Sequence, residues 1–258
     1  MAYDIKWIDL IIGSTLIFIP VALILYAKLK LLKDLILSML RMTIQLLFVG
    51  FYLKYIIDYD NIYINIFWIL LIVIVGSISI SKRSEVELKF TLVPVITGFS
   101  FSFVIVTFFT SYFYFNGMEY FTAQYLIPIS GMLIGNSISS SIVAIRSLTK
   151  DLIAKKELIN YYEIFSFSRI KSTKESMNLA LLDSFKPMLA NIANIGLIWL
   201  PGTMTGQIIS GTNPMTAIKY QIVIVIGYFA CCFIATFISL NLFRTKAFDN
   251  FGILKIKM

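Results

Sequence analysis

The sequence contains no histidine and only two cysteines, the adjacent pair Cys231 and Cys232. Without histidine, a Ser-His-Asp triad cannot be assembled. Two neighbouring cysteines supply neither a disulfide framework nor zinc-ligand spacing, and on an apolar stretch they read as packing residues. Charge is also scarce. Asp, Glu, Lys and Arg make up 14% of the 258 residues, whereas a soluble domain carries about 25%. No G-x-x-x-x-G-K-[ST] loop is present to cradle a nucleotide. No apolar run has Asp or Glu in its core, so the acidic relay of proton-coupled carriers is missing too. These absences argue against an enzyme and against any cofactor bound by this chain. If the protein moves a solute uphill, ATP must be hydrolysed on a separate subunit.

What the sequence has in abundance is apolar residues, 59% of the chain, in long blocks between short clusters of Lys and Arg. About 20 apolar residues cross the hydrocarbon core as a helix, and lipid offers no hydrogen bonds to any more open structure. The blocks predict an all-α integral membrane protein of about seven transmembrane helices, over residues 7–26, 34–57, 62–80, 90–115, 121–145, 187–210 and 215–243. Pro20 should kink the first, and Pro201-Gly202 should break the sixth. Asn116 to Glu119 and Gly211 to Pro214 read as turns. The first block is too long, and its start not basic enough, for a cleavable signal peptide. Residues 1–258 form a single transmembrane domain with one long soluble segment, at about 146–186. That segment holds eight basic and five acidic residues, with Leu152, Leu158, Ile159, Phe165 and Phe167 on apolar faces of amphipathic helix.

The net charge of +8 records topology rather than nucleic acid binding. Eighteen of the twenty-two Lys and Arg residues fall on one side of a seven-span arrangement. The positive-inside rule places that side in the cytoplasm. The N-terminus is then outside, the 146–186 segment and the C-terminus inside, and the location is the cell membrane, multi-pass in the lipid bilayer.

Polar residues inside spans are the best pointers to function. Arg41 lies about 10 Å into the second span at 1.5 Å per residue. It either snorkels to the interface or faces the bundle interior, with Gln45 one turn deeper on the same face. The fifth span carries Pro128, Met132, Asn136 and Ser137. Its Gly131 and Gly135 form a G-x-x-x-G pair that lets two helices approach closely; this stretch is either interhelix packing or the lining of a pathway. The sixth span, with Met204, Thr205 and Gln207 after Pro201-Gly202, is either a pore wall or a tight helix crossing.

Three stretches carry a resemblance. Residues 34–57 read DLILSMLRMTIQLLFVGFYLKYII, residues 127–137 read IPISGMLIGNS, and residues 200–221 read LPGTMTGQIISGTNPMTAIKYQ. In order and spacing they resemble the FetB-like family of ABC-transporter permeases, membrane subunits of iron exporters to which plant aluminium-tolerance half-transporters are related. The second is close to the family's IPIxGMxxGN and the third to its LPGxMxGxIxxGxxPxxAIxYQ. The resemblance implies a cytoplasmic ATP-binding cassette partner and a permease homodimer. It also implies an ATPase-coupling loop at Glu163, Phe165, Phe167, Ser168 and Arg169, where Ser168 stands in place of the family's usual Gly. Between Pro187 and Gly196 the chain has Asn191 and Asn194 where relatives can carry charge, which weakens any transfer of substrate.

The expected function is therefore a permease exporting a metal ion or metal complex, iron by resemblance. The alternative is a stand-alone channel or secondary transporter; a non-transporting scaffold fits the polar spans less well. Hard metal ions favour carboxylate oxygen, which the spans lack, and thioethers such as those of Met132 and Met204 suit softer ions.

Overall fold

The computed structural model describes residues 6–114, 121–166, 169–249 and 254–256, apart from the side chains of residues 163–166 and 169. Among them every regular element is a helix, and six helices are long and apolar enough to cross a membrane. The chain begins with α1 (Trp7–Ser14) and α2 (Phe18–Tyr26), joined by a 3-10 turn at Thr15–Ile17. Pro20 explains the turn: it has no N–H to donate to the carbonyl four residues earlier, and that Leu16 carbonyl is taken up at the end of the 3-10 turn instead. Together α1 and α2 make the first span.

Next come α3 (Leu32–Tyr59), α4 (Ile62–Arg83), α5 (Leu88–Tyr114) and α6 (Ala123–Ala154). α4 starts where the Asn61 side chain accepts a hydrogen bond at 2.9 Å from the Tyr63 N–H, satisfying one orphan donor of its first turn. α6 has 32 residues, about 48 Å of helix at 1.5 Å per residue, against about 30 Å of hydrocarbon. That exceeds one hydrocarbon thickness by about 18 Å, and the segment expected as soluble begins inside α6, at its C-terminal end. The segment goes on as α7 (Lys156–Ser166) and α8 (Arg169–Ser172), then α9 (Lys174–Ala193). On its apolar faces Leu152 and Ile159 are buried while Leu158 is exposed. The turn at Asn116 to Glu119 lies outside the described residues.

The segment expected as a single sixth span is two helices. α9 runs through Pro187 and ends at Ala193, and α10 (Gly202–Ile209) is only eight residues long. Local chemistry sets both ends of the gap. Gly196 adopts φ +87°, open to glycine and costly for other residues. Pro201 holds the residue before it extended and itself occupies the N-cap of α10. The break therefore covers the eight residues 194–201 rather than one dipeptide. The last helix, α11 (Pro214–Ala247), opens with Pro214 in its first turn and an Asn213 side chain accepting from the Met215 N–H at 2.9 Å.

α4, α5, α6 and α11 enclose the core, with α9 against α6. Val95, Phe99, Leu133, Ile134, Leu148, Leu240 and Phe243 are almost wholly buried there. α5 and α11 touch most closely at Gly98: a Cβ at that position would sit 2.6 Å from the Ala235 carbonyl oxygen and against the Ser239 hydroxyl. The close approach expected at Gly131 and Gly135 does not occur, since a Cβ at either meets nothing within 4 Å. The N-terminal helices contrast with this core. No residue of α1, α2 or α3 is buried. α3 meets the bundle through contacts such as Tyr52 against Trp68 of α4, with ring centroids 4.5 Å apart, and residues 36–48 are exposed on all sides.

Candidate functional site

Small and polar residues recur on α6 at helical spacing: Gln124, Pro128, Met132, Gly135, Asn136, Ser139, Val143, Ser147 and Lys150. Spacings of three and four keep them on one stripe. The remaining faces of α6 are packed, with Ser130, Ser137 and Ser141 fully buried. The stripe lines three cavities in succession. The first, about 540 Å³, lies between α6 and the α10–α11 pair and is bounded by Gln124, Pro128, Met132, Thr203, Gln207 and Tyr220 among others. The second, about 330 Å³, lies between α6, α9 and α11, with Gly135, Asn136, Ser139, Ser140, Met188 and Asn191 in its wall. The third, about 550 Å³, lies between the end of α6 and α9, with Arg146, Ser147, Lys150, Asp151 and Asp183. Val143 belongs to both the second and the third.

The three cavities thus follow one another along α6 over about 45 Å by helical rise, further than the roughly 30 Å of hydrocarbon. A serine or asparagine facing bare lipid is costly, so a polar stripe of this length belongs against water or protein. The Asn136 amide donates to the Met132 carbonyl at 2.9 Å, which leaves its oxygen available to the cavity. Near the first cavity Thr203 donates to Gln221 Oε1 at 2.7 Å. Gln221 in turn lines a separate, mostly apolar space of about 390 Å³ together with Met204.

The two ends are fastened differently. At the Gln124 end, the Asp60 carboxylate accepts from the Ala123 N–H. At the Lys150 end, Arg146 pairs with Glu85 at 2.6 Å, Ser147 donates to Asp183 at 2.6 Å, and Lys155 reaches both Asp151 and Glu175, at 3.2 and 3.4 Å. The Asp151 hydrogen bond raises the Lys155 ammonium above the ordinary lysine range, against a smaller opposing effect of desolvation. Asp151 Oδ2 and the Arg146 Nε are buried without a hydrogen-bond partner at the wall of this third cavity.

Of the residues singled out in the sequence, Met132 and Gln207 share the first cavity and Asn136 lines the second. Ser137, one residue on from Asn136, turns into the core and donates to the Leu133 carbonyl at 2.7 Å. Met204 faces the separate apolar space, and Thr205 donates to the Pro201 carbonyl at 3.2 Å. Arg41 and Gln45 are exposed on α3, away from the groove. The side chains of Glu163, Phe165 and Arg169, and the whole of Phe167 and Ser168, lie outside the described residues. Ser139, Asn191 and Tyr228 were not legible as site residues. Ser139 shares the helical spacing of Asn136 and could have been found from it; the other two reach the cavity only through the packing of α9 and α11. Among the described residues no cluster of three metal-ligating Asp, Glu, His or Cys residues exists.

These features define a multi-pass helical membrane protein with a polar groove along one span. The chain belongs to the uncharacterised protein family UPF0014, whose model matches residues 7–248. It is 30% identical to the UPF0014 membrane protein YjkA of Bacillus subtilis, over 83% of this chain and 85% of that one. It is 28% identical to the probable iron export permease protein FetB of Escherichia coli, over 86% and 85%. It is 29% identical to the protein ALUMINUM SENSITIVE 3 of Arabidopsis thaliana, over 82% and 77%. The resemblance drawn from the three motifs is therefore correct at the level of family, and none of these names describes an enzyme. No solved structure matches the chain.

Proposed function

We propose that this chain is the membrane-spanning permease of an ABC transporter that exports a metal ion or metal complex, driven by ATP hydrolysed on a separate cytoplasmic subunit. The observation that carries the reading is the row of three cavities along α6, each with polar side chains in its wall, spaced over a length greater than the hydrocarbon core is thick. The relative named as a probable iron export permease supports the transport class and the direction. Counting α9 and α10 as one interrupted crossing gives seven, with the N-terminus outside and the Lys150 end of the groove in the cytoplasm, as the charge distribution requires. On that side α7 and α8 offer the ATPase its docking surface, around Glu163 to Arg169. The stripe on α6 is open along one side in a single chain. A homodimer would cover it and would also take Arg41 and Gln45 of the unpacked α3 out of lipid.

The test is co-purification with a candidate ATP-binding cassette partner, followed by metal movement in proteoliposomes. A stable complex and metal transport that stops when ATP is withheld are the expected results. Failure to form a complex with ATP-independent solute flux would instead identify a stand-alone channel or secondary transporter.

A further inference from the structure

Sulfur collects beside the central cavity. Cys232 of α11 is fully buried and packs with Met188 and Phe185 of α9. Ser140 of α6 donates a hydrogen bond to Met188 Sδ at 3.9 Å and also stands beside the Cys232 thiol. Met188 and Ser140 line the central cavity of about 330 Å³, as does Tyr228, one helical turn before Cys232. Met188 and Ser140 thus stand in the cavity wall, and the Cys232 thiol lies behind them in the same packed cluster, beside the hydroxyls of Ser140, Ser137 and Thr236. Cys231 points elsewhere. Its Sγ lies 3.5 Å from the Ser102 hydroxyl of α5, inside the packed core.

We propose that Cys232 and Met188, assisted by Ser140, form a binding site for a soft monovalent cation of the Cu(I) or Ag(I) type just behind the wall of the central cavity, reached from it past Met188 and Ser140. The role of such a site as a station for cargo rests on the transport reading above. Thiolate and thioether sulfur select soft ions, and ions of this type are satisfied by two or three donors. Binding breaks the Cys232 S–H bond and forms a sulfur–metal bond. The proton is released to water, and no atom changes oxidation state. Charge decides the valence. One thiolate against one monovalent cation leaves a neutral pair, whereas a divalent ion would leave a positive charge uncompensated in a poorly solvated site. Hard ions are excluded by the donor set, since no Asp or Glu lines this cavity. Ser140 is then the donor that steadies the metal-bound sulfur.

The experiment is an Ag(I) titration of the purified full chain in detergent, free of chloride and added thiols. Bound silver is followed by elemental analysis and by ultraviolet sulfur-to-metal absorbance. Wild type should bind one Ag(I) per chain that Cys232→Ser lacks, and Cys231→Ser should bind as wild type does. Met188→Leu, which conserves volume and keeps the packing, should weaken binding by about tenfold or more, the scale seen when a site loses a supporting ligand. Unchanged affinity in Met188→Leu overturns the site even if Cys232→Ser fails to fold. So does equal loss in the two cysteine variants. Binding needs no ATPase and no vesicle. Intact binding without ATP-dependent transport would count against the permease reading alone; lost binding with intact transport would count against this site alone.

Discussion

The carboxylate of Asp60, in the turn that follows α3, accepts a hydrogen bond at 2.6 Å from the backbone N–H of Ala123, the first residue of α6. The same oxygen receives the Asn65 amide at 3.3 Å, and that amide also reaches the Phe121 carbonyl at 3.4 Å. Thr122, the N-cap residue of α6, contributes no side-chain cap. The cap comes from 63 residues away, and it places a negative charge at the positive end of the helix dipole.

Asp60→Ala should therefore lower stability by about 1–2 kcal/mol, the cost of losing a helix cap together with a partner for a buried amide. Asp60→Asn keeps an acceptor and tolerates the left-handed φ of +37°, so it should lose clearly less. Thermal unfolding in detergent, with the three proteins compared at one pH, measures the difference.

The glycines should separate by packing. Gly98→Ala places a methyl group against the Ala235 carbonyl and the Ser239 hydroxyl, and forcing α5 from α11 should cost about 1–3 kcal/mol. Gly131→Ala and Gly135→Ala meet open space, and helix propensity favours alanine by up to about 1 kcal/mol. Both should leave the unfolding temperature unchanged or raise it. A loss of stability at Gly135 equal to that at Gly98 would contradict the cavity on that face of α6.

The contrast between these glycines shows which parts of the fold the sequence expressed. Hydropathy located α3, α4, α5, α6 and α11 to within a few residues at most ends, because span length is a property of consecutive residues. The G-x-x-x-G pair was visible, but the contact it would make was not, since that depends on which neighbour α6 meets. The split between α9 and α10 had a local signal in Gly196 as well as in Pro201, and the apolar residues between them concealed it: Leu197 and Ile198 are 90% and 76% exposed, which hydropathy alone cannot distinguish from a buried helix. Asn136 was legible as a groove residue and Ser137 was misleading, because one residue is about 100° around a helix and a sequence does not say which direction is outward. Arg41 and Gln45 share a face as their spacing requires, yet that face touches nothing in the single chain.

The Lys155 tie between α6 and α9 should respond to alkali. Its ammonium is held above the ordinary lysine range by the Asp151 hydrogen bond, with Glu175 assisting. A group whose folded pKa is raised contributes stability that is complete below the unfolded value and lost as pH rises through the folded one. The contribution should therefore be intact below the ordinary lysine value of about 10.4 and be lost as pH rises above it through the raised folded value. The unfolding temperature of wild type should fall more steeply over that window than that of Lys155→Met. Parallel curves would show that the half-buried Lys155–Asp151 pair adds nothing measurable.

Transport should distinguish the two neighbours on α6. Asn136 presents its amide to the central cavity, while Ser137 is buried against the Leu133 carbonyl. Asn136→Leu keeps the side chain close to its native size but removes the polar contact a passing solute would meet. If the groove is the pathway, the rate of ATP-dependent metal movement in proteoliposomes should fall by about tenfold, the effect of a barrier raised by roughly 1.4 kcal/mol. The folded state should be little affected, because that face of α6 is not packed. Ser137→Ala removes a hydroxyl buried between α6 and the cysteines of α11, outside the cavities, and transport should stay within about twofold, as expected for a change worth a few tenths of a kcal/mol. The pair of measurements discriminates because each variant also has an unfolding temperature. A slow Asn136→Leu protein with native stability places the solute path along the α6 stripe; a fast one moves the path elsewhere, and the exposed Arg41 and Gln45 of α3 become the residues to test.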